Sequence, residues 1–260
     1  MPPTLRFLLA ARRSELLGLE TLASTCELAT RVSKLAHVLQ KERGCSNLYL
    51  CGGQDTLRQT LAGLSSDASA VEEEVRRFLD RLEPDVTRSA GKARLLNCVA
   101  YALYRLDELP RLRGRIRDRR VVAEEAGAAF TKLIASLFAL VFEAADSSLD
   151  AGVTQLLVAL LNFMQGKELC GQERAHGVMG YTAGFFTEPQ KARLLELADL
   201  QKRCFDGFAQ CAAPDALAAW GQLAPGAGQV QRLRDMALRT SDAARVDAGL
   251  AEVWVGVCTE

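Results

Sequence analysis

Residues 35–46 read Leu35-Ala36-His37-Val38-Leu39-Gln40-Lys41-Glu42-Arg43-Gly44-Cys45-Ser46. Together with Leu28 and Val32, the apolar members Leu35, Val38 and Leu39 recur mainly at steps of three and four, which lines one face of an α-helix. The stretch ends in a charged Glu-Arg step followed by small residues. A second Glu-Arg step, Gly171-Gln172-Glu173-Arg174-Ala175, stands in a similar setting behind Leu160, Leu161 and Met164. The two steps read as facing walls of a site, with the remaining chain as scaffold.

Outward from this stretch the helical period persists. Leu57, Leu61, Leu64, Val71, Val75 and Leu79 continue it before Pro84, and Leu95, Leu96, Val99, Leu103 and Leu106 carry it from about Ser89 to Pro110. A very apolar run follows from Glu124 to Ala145. Beyond the break at Ser147-Ser148-Leu149-Asp150 the pattern resumes almost to Phe186. Pro189 and Pro214 each open a further helix, where a missing N–H costs little, and Pro225-Gly226-Ala227-Gly228 forms a clear break. A short helix and a final one from about Asp242 complete the chain. Upstream, the expectation is a short helix over Leu5 to Leu17 and a separate longer one over Leu19 to Tyr49, stopped by Gly52-Gly53.

Aromatics make up only 6% of the 260 residues, and Val-rich alternating runs are almost absent. The fold class expected is all-α: a long multi-helix domain over residues 1–260, built as two four-helix bundles that share long helices. Equal numbers of basic and acidic side chains, 32 of each, leave no global field toward nucleic acid or an anionic membrane. Eight cysteines are scattered without a C-x-x-C pair, which fits reduced thiols in a cytoplasmic protein and no metal site. The apolar start Phe7-Leu8-Leu9-Ala10-Ala11 is interrupted too early by Arg12, Arg13 and Glu15 for a signal peptide, and no uninterrupted apolar run of bilayer length is visible.

Enzyme readings find no support, because nucleophile elbow, zinc helix, phosphate-binding loop and dinucleotide fingerprint are all missing. His37 and His176 lack triad company. No cofactor is implied. Arg111, Arg113, Arg115, Arg117, Arg119 and Arg120 form a dense basic run, read as a solvated connection or as a phosphate-contacting patch. No aromatic residue is interleaved, so base stacking has no basis there.

Arg43 and Arg174 carry the chemistry. A guanidinium near a helix end inside a bundle requires an anion to meet it, and neighbouring helical residues diverge by about 100°, so Glu42 and Glu173 cannot easily serve their own arginines. One solution is an interhelical salt bridge, Arg43 to Glu173 and Arg174 to Glu42, in a helical interaction scaffold without a ligand. The other is a bound anion.

The Q-K-E-R-G-x-S step at Gln40 to Ser46, followed by the K-E-x-x-G-Q-E-R-A step at Lys167 to Ala175, resembles the nitrate- and nitrite-sensing (NIT) domain family. The run from Trp254 to Glu260 resembles that family's closing helix. The resemblance implies an all-α sensor that binds nitrate or nitrite between helices through arginines and regulates nitrogen-assimilation gene expression. Arg43 carries over from the first motif. Arg232 or Arg234 is implied as a late ligand arginine, and Arg174 matches the second motif in a ligand or structural role. The family commonly couples the sensor to an RNA-binding ANTAR module for transcription antitermination. No such effector follows Trp254 here, so an effector on a separate protein or a truncated regulator is expected, and a homodimer is compatible with the pattern.

Nitrate is a planar, delocalised monoanion that matches the two parallel donors of a guanidinium. Two arginines from different helices repel each other until an anion relieves them, so binding favours one helix arrangement. A micromolar sensor needs about 8 kcal/mol, within reach of two charge-assisted clamps and a few neutral donors.

Overall fold

The structure is a computed structural model that describes residues 2–52, 55–81, 93–146, 150–223, 227–239, 247 and 249–257. Among them every regular element is an α-helix. In chain order these are α1 (Pro3–Gly52), α2 (Asp55–Leu79), α3 (Ala93–Arg117), α4 (Ala123–Asp146), α5 (Ala151–Ala183), α6 (Glu188–Cys211), α7 (Pro214–Leu223), α8 (Ala227–Arg239) and α9 (Leu250–Val257). The all-α class follows the sequence expectation. The breaks at Pro84, Ser147 to Leu149 and Pro225-Gly226, the helix start at Ser89 and the stretch from Asp242 to Val246 lie outside the described residues.

The chain divides into two compact units, Met1–Leu157 and Val158–Glu260, and α5 runs through the boundary. In the first unit α1 packs against α2 and α4, and α3 packs against α4 and more lightly against α2. Leu28, Val32, Leu35 and Leu39 of α1 are buried at alternating steps of four and three, as the apolar pattern requires. They share the core with Phe130, Leu133, Ile134, Leu137, Leu140 and Val141 of α4. α4 is long and apolar enough to cross a membrane by length and composition, yet more than half of its apolar stretch is buried inside the protein. Its hydrophobicity is accounted for by neighbours on several sides.

Two helix boundaries depart from the sequence expectation. α1 is one continuous helix of 50 residues, without a break near Gly18. An isolated glycine costs a helix only about 1 kcal/mol, which the strong formers on either side absorb. α3 likewise passes through Pro110 and ends at Arg117. Pro110 removes one intrahelical donor, but Leu106 and Leu109 before it and Ile116 beyond it are all buried in the same core. The basic run expected as a connection is therefore mostly the last turns of a helix. Arg119, just past its end, takes φ 53° and places its guanidinium 4.6 Å from the centre of the Tyr49 ring.

The second unit is built around aromatic side chains. Tyr181, Phe186, Leu194, Leu233, Ala237 and Trp254 form a buried cluster. Tyr181 donates its hydroxyl to the Leu233 carbonyl at 2.6 Å, and the Trp254 indole N–H donates to the Arg174 carbonyl at 3.0 Å. A second cluster joins Phe163 of α5, Phe205 and Phe208 of α6, and Trp220 of α7, with Phe205 and Trp220 stacked at 4.6 Å. Gly177 lies directly beneath the Trp254 indole and Gly180 beneath the Phe186 ring, with no room for a Cβ at either place. At the start of α6, Thr187 and Gln190 form a capping box, with Pro189 in the first turn as expected.

Candidate ligand site

Both Glu-Arg steps lie inside helices, on the faces that their apolar patterns turn inward. In the first unit Glu42 is only 1% exposed. Its carboxylate receives both donors of one edge of Arg113, Nε to Oε1 at 2.7 Å and Nη2 to Oε2 at 2.8 Å, and the Ser65 hydroxyl donates to Oε1 at 2.7 Å. Arg113 also donates through Nη1 to Ser69 Oγ at 2.9 Å. Three helices, α1, α2 and α3, thus meet on one buried carboxylate.

The second unit repeats this arrangement. Glu173 is 2% exposed and receives Arg234 bidentately, Nε to Oε1 at 2.6 Å and Nη2 to Oε2 at 3.0 Å. Gln201 donates its amide to Oε2 at 2.7 Å. Here α5, α6 and α8 meet on the carboxylate. Arg234 reaches Gln231 Oε1 through Nη1 at 2.6 Å. In both units a Glu-Arg step supplies the acid, the next helix supplies a neutral donor, and a later helix supplies the guanidinium.

The carboxylates of the two steps are accordingly engaged by arginines of their own unit. The salt-bridge alternative read from the sequence instead pairs Glu42 with Arg174 and Glu173 with Arg43. The sequence singles out Arg234 but not its acid, and leaves Arg113 in a basic run that reads as a solvated connection or a phosphate-contacting patch. Partners 71 and 61 residues apart carry no local signal, because only the packing of α3 and α8 brings them in. The other arginines of that run disperse. Arg115 pairs with Glu125, and Arg117 and Arg120 approach Asp118.

Arg43 is buried and donates through Nη1 to the Thr131 hydroxyl of α4 at 2.9 Å. One turn further along α1, Asn47 packs its side chain against Gly127 of α4, one turn before Thr131. Arg43 and Asn47 on one helix thus face Thr131 and Gly127 on the other. Arg174 is partly buried, and its carbonyl takes the Trp254 indole proton. Arg232 is exposed on α8. Cys170, one turn before Arg174 on α5, has its thiol pushed up to about 11, first by burial and then by the Glu173 charge. Burial likewise raises Cys45, with Glu42 adding to it.

The family model for nitrate and nitrite sensing matches residues 34–260, which include both Glu-Arg steps and every helix from the second half of α1 onward. The chain belongs to the NIT family. It is 37% identical over 236 residues to the nitrate regulatory protein of Klebsiella oxytoca, an alignment covering 91% of this chain and 58% of that protein. The structure of the NasR transcription antiterminator superposes with a TM-score of 0.81 at 34% identity, covering 99% of this chain and 69% of that one. This chain therefore spans little more than half the length of the curated relative it matches.

Proposed function

We propose that this NIT domain binds nitrate or nitrite and passes the resulting change in helix packing to a regulator of nitrogen-assimilation gene expression. The observation that carries the reading is the family match over residues 34–260, with both Glu-Arg steps inside it. The two matched relatives bear the names of a nitrate regulatory protein and a transcription antiterminator, so the role assigned to this chain is regulatory and not catalytic. Both relatives are longer than the matched region, and an effector of the RNA-binding antitermination type is the proposed recipient of the signal. The setting proposed is cytoplasmic.

Arg43 is the arginine on which the response is proposed to depend most. It lies buried in the first Glu-Arg step, where its Nη1 reaches across to the Thr131 hydroxyl of α4. Of the late pair, Arg234 suits an anion better than Arg232. Its guanidinium is part-buried and held in orientation by Glu173 and Gln231, whereas Arg232 is exposed. Arg174 is assigned a supporting role, since its backbone anchors Trp254.

Thermal unfolding in the presence of nitrate, nitrite, chloride or sulfate tests the reading. Nitrate and nitrite raise the midpoint, Arg43→Ala removes the rise while retaining the helical spectrum, and Arg234→Ala weakens it more than Arg232→Ala does. An unchanged midpoint with millimolar nitrate and nitrite would sink the proposal. It would favour instead a helical interaction scaffold whose arginines serve internal pairs, for which Glu42 with Arg113 and Glu173 with Arg234 are the supporting observation.

A further inference from the structure

The first half of α1 remains outside the matched family region, which begins at residue 34. Every described side chain from residue 2 to residue 21 is exposed, including Leu5, Leu9, Leu16 and Leu19 at 44%, 43%, 60% and 63%. These leucines lie on one stripe. Leu5, Leu9, Arg12, Leu16, Leu19, Ala23 and Cys26 step alternately by four and three, a heptad seam about 30 Å long at the usual helical rise.

The bundle cannot cover this stripe by extension. The seam that α1 buries runs through Leu28, Val32, Leu35 and Leu39, and its continuation toward the N-terminus meets Thr25, Thr21, Gly18, Ser14, Ala11 and Phe7. At about 100° per residue the leucine stripe, offset by two residues, is turned roughly 160° away from that continuation.

The charges beside the stripe identify its occupant. Arg6, Arg13, Glu20 and Glu27 follow one another at intervals of seven along one flank, basic in the first half and acidic in the second. We propose that residues 6–27 pair with the same residues of a second copy as an antiparallel two-stranded coiled coil. Placing Leu16 opposite Leu19 of the second copy puts Leu9 opposite Cys26 and Arg12 opposite Ala23, where the long arginine stem lies over a small residue. The same register sets Arg13 beside Glu20 and Arg6 beside Glu27, whose Oε1 also holds Arg31 of its own helix, each pair occurring twice by the two-fold symmetry. A parallel pair would instead stack Arg12 on Arg12 and bring Glu15 against Glu20, like charges in both places.

Sedimentation equilibrium of the whole 260-residue chain, with and without the variants, decides the matter. The native chain is a dimer at micromolar concentration, and Leu9→Glu with Leu16→Glu is a monomer with an unchanged helical spectrum, since both positions are exposed. Glu20→Arg weakens dimerisation about tenfold or more by setting two like pairs against each other, and adding Arg13→Glu restores it. Under mild oxidation Leu9→Cys cross-links to Cys26 of the second copy. A monomeric native chain, a dimer indifferent to Leu9→Glu with Leu16→Glu, or a tighter dimer with Glu20→Arg would each overturn the proposal. So would a monomer that uses the stripe to enter anionic lipid vesicles.

Discussion

The two buried glutamates show how much depends on single side chains. Glu42 and Glu173 each neutralise a guanidinium brought from another helix, and each accepts one further hydrogen bond from a neutral donor. Removing the acid takes the closest carboxylate from a part-buried guanidinium, so Glu42→Ala and Glu173→Ala should each cost about 3 kcal/mol in denaturant unfolding, Glu42→Ala the less because Glu72 stays 3.8 Å from Arg113. Glu173→Ala combined with Arg234→Met should cost less than Glu173→Ala alone, because the orphaned charge leaves with its partner. Cys170 makes a second residue-scale prediction. Its thiol is pushed from 9.0 up to about 11 in the folded chain, so the folded state holds its proton longer than the unfolded one. The sign follows from that difference: the contribution is complete below pH 9, and stability falls as the pH rises from there to about 11. Cys170→Ala should flatten this part of the stability profile relative to the native chain.

At the scale of the element, α1 and α5 are where local rules and packing meet most visibly. Gly18 sits mid-helix with nothing within 4 Å of an added Cβ, so Gly18→Ala should stabilise the chain by roughly 0.4–1 kcal/mol, measured by thermal unfolding. Gly177 is also mid-helix but lies against the Trp254 indole, so the same change there should destabilise by about 1–3 kcal/mol through overpacking. Two glycines of equal helix propensity thus respond with opposite sign. The length of α1 has the same origin. Glycine at 18 and proline at 110 read locally as stops, yet the helices continue through both. Sequence punctuation states a cost of one to a few kcal/mol, which at Gly18 the strong helix formers on either side absorb and at Pro110 the burial of Leu106, Leu109 and Ile116 exceeds.

At the scale of the molecule, two units carry one device in duplicate. In each, a buried acid from a Glu-Arg step ties together three helices through a later arginine. A binding event that moves one of those helices must act against the same clamp. Clamp-weakening variants should therefore change the size of the nitrate-induced rise in melting midpoint as well as the midpoint itself. Glu42→Gln, which keeps the volume and removes the charge, is the variant to measure. If its midpoint falls while the nitrate increment stays the same, clamp and ligand response are uncoupled.

The helical class was legible because the apolar residues recur at steps of three and four throughout, and that period needs no knowledge of what they pack against. The two Glu-Arg steps were legible as well, because a charged pair on an apolar stripe stands out wherever the stripe goes. Arg113 was not legible as the partner of Glu42, nor was the tie of Arg234 to Glu173, since one looked like part of a solvated basic run and the other was read only as a ligand arginine. By itself the sequence determined which residues share a helix face and where the unusual charges fall, because both are set by spacing along a single helix. Only the tertiary structure decided which arginine each acid holds and that α3 passes through its proline. Those outcomes depend on contacts between residues far apart in the chain, whose energies no local pattern contains.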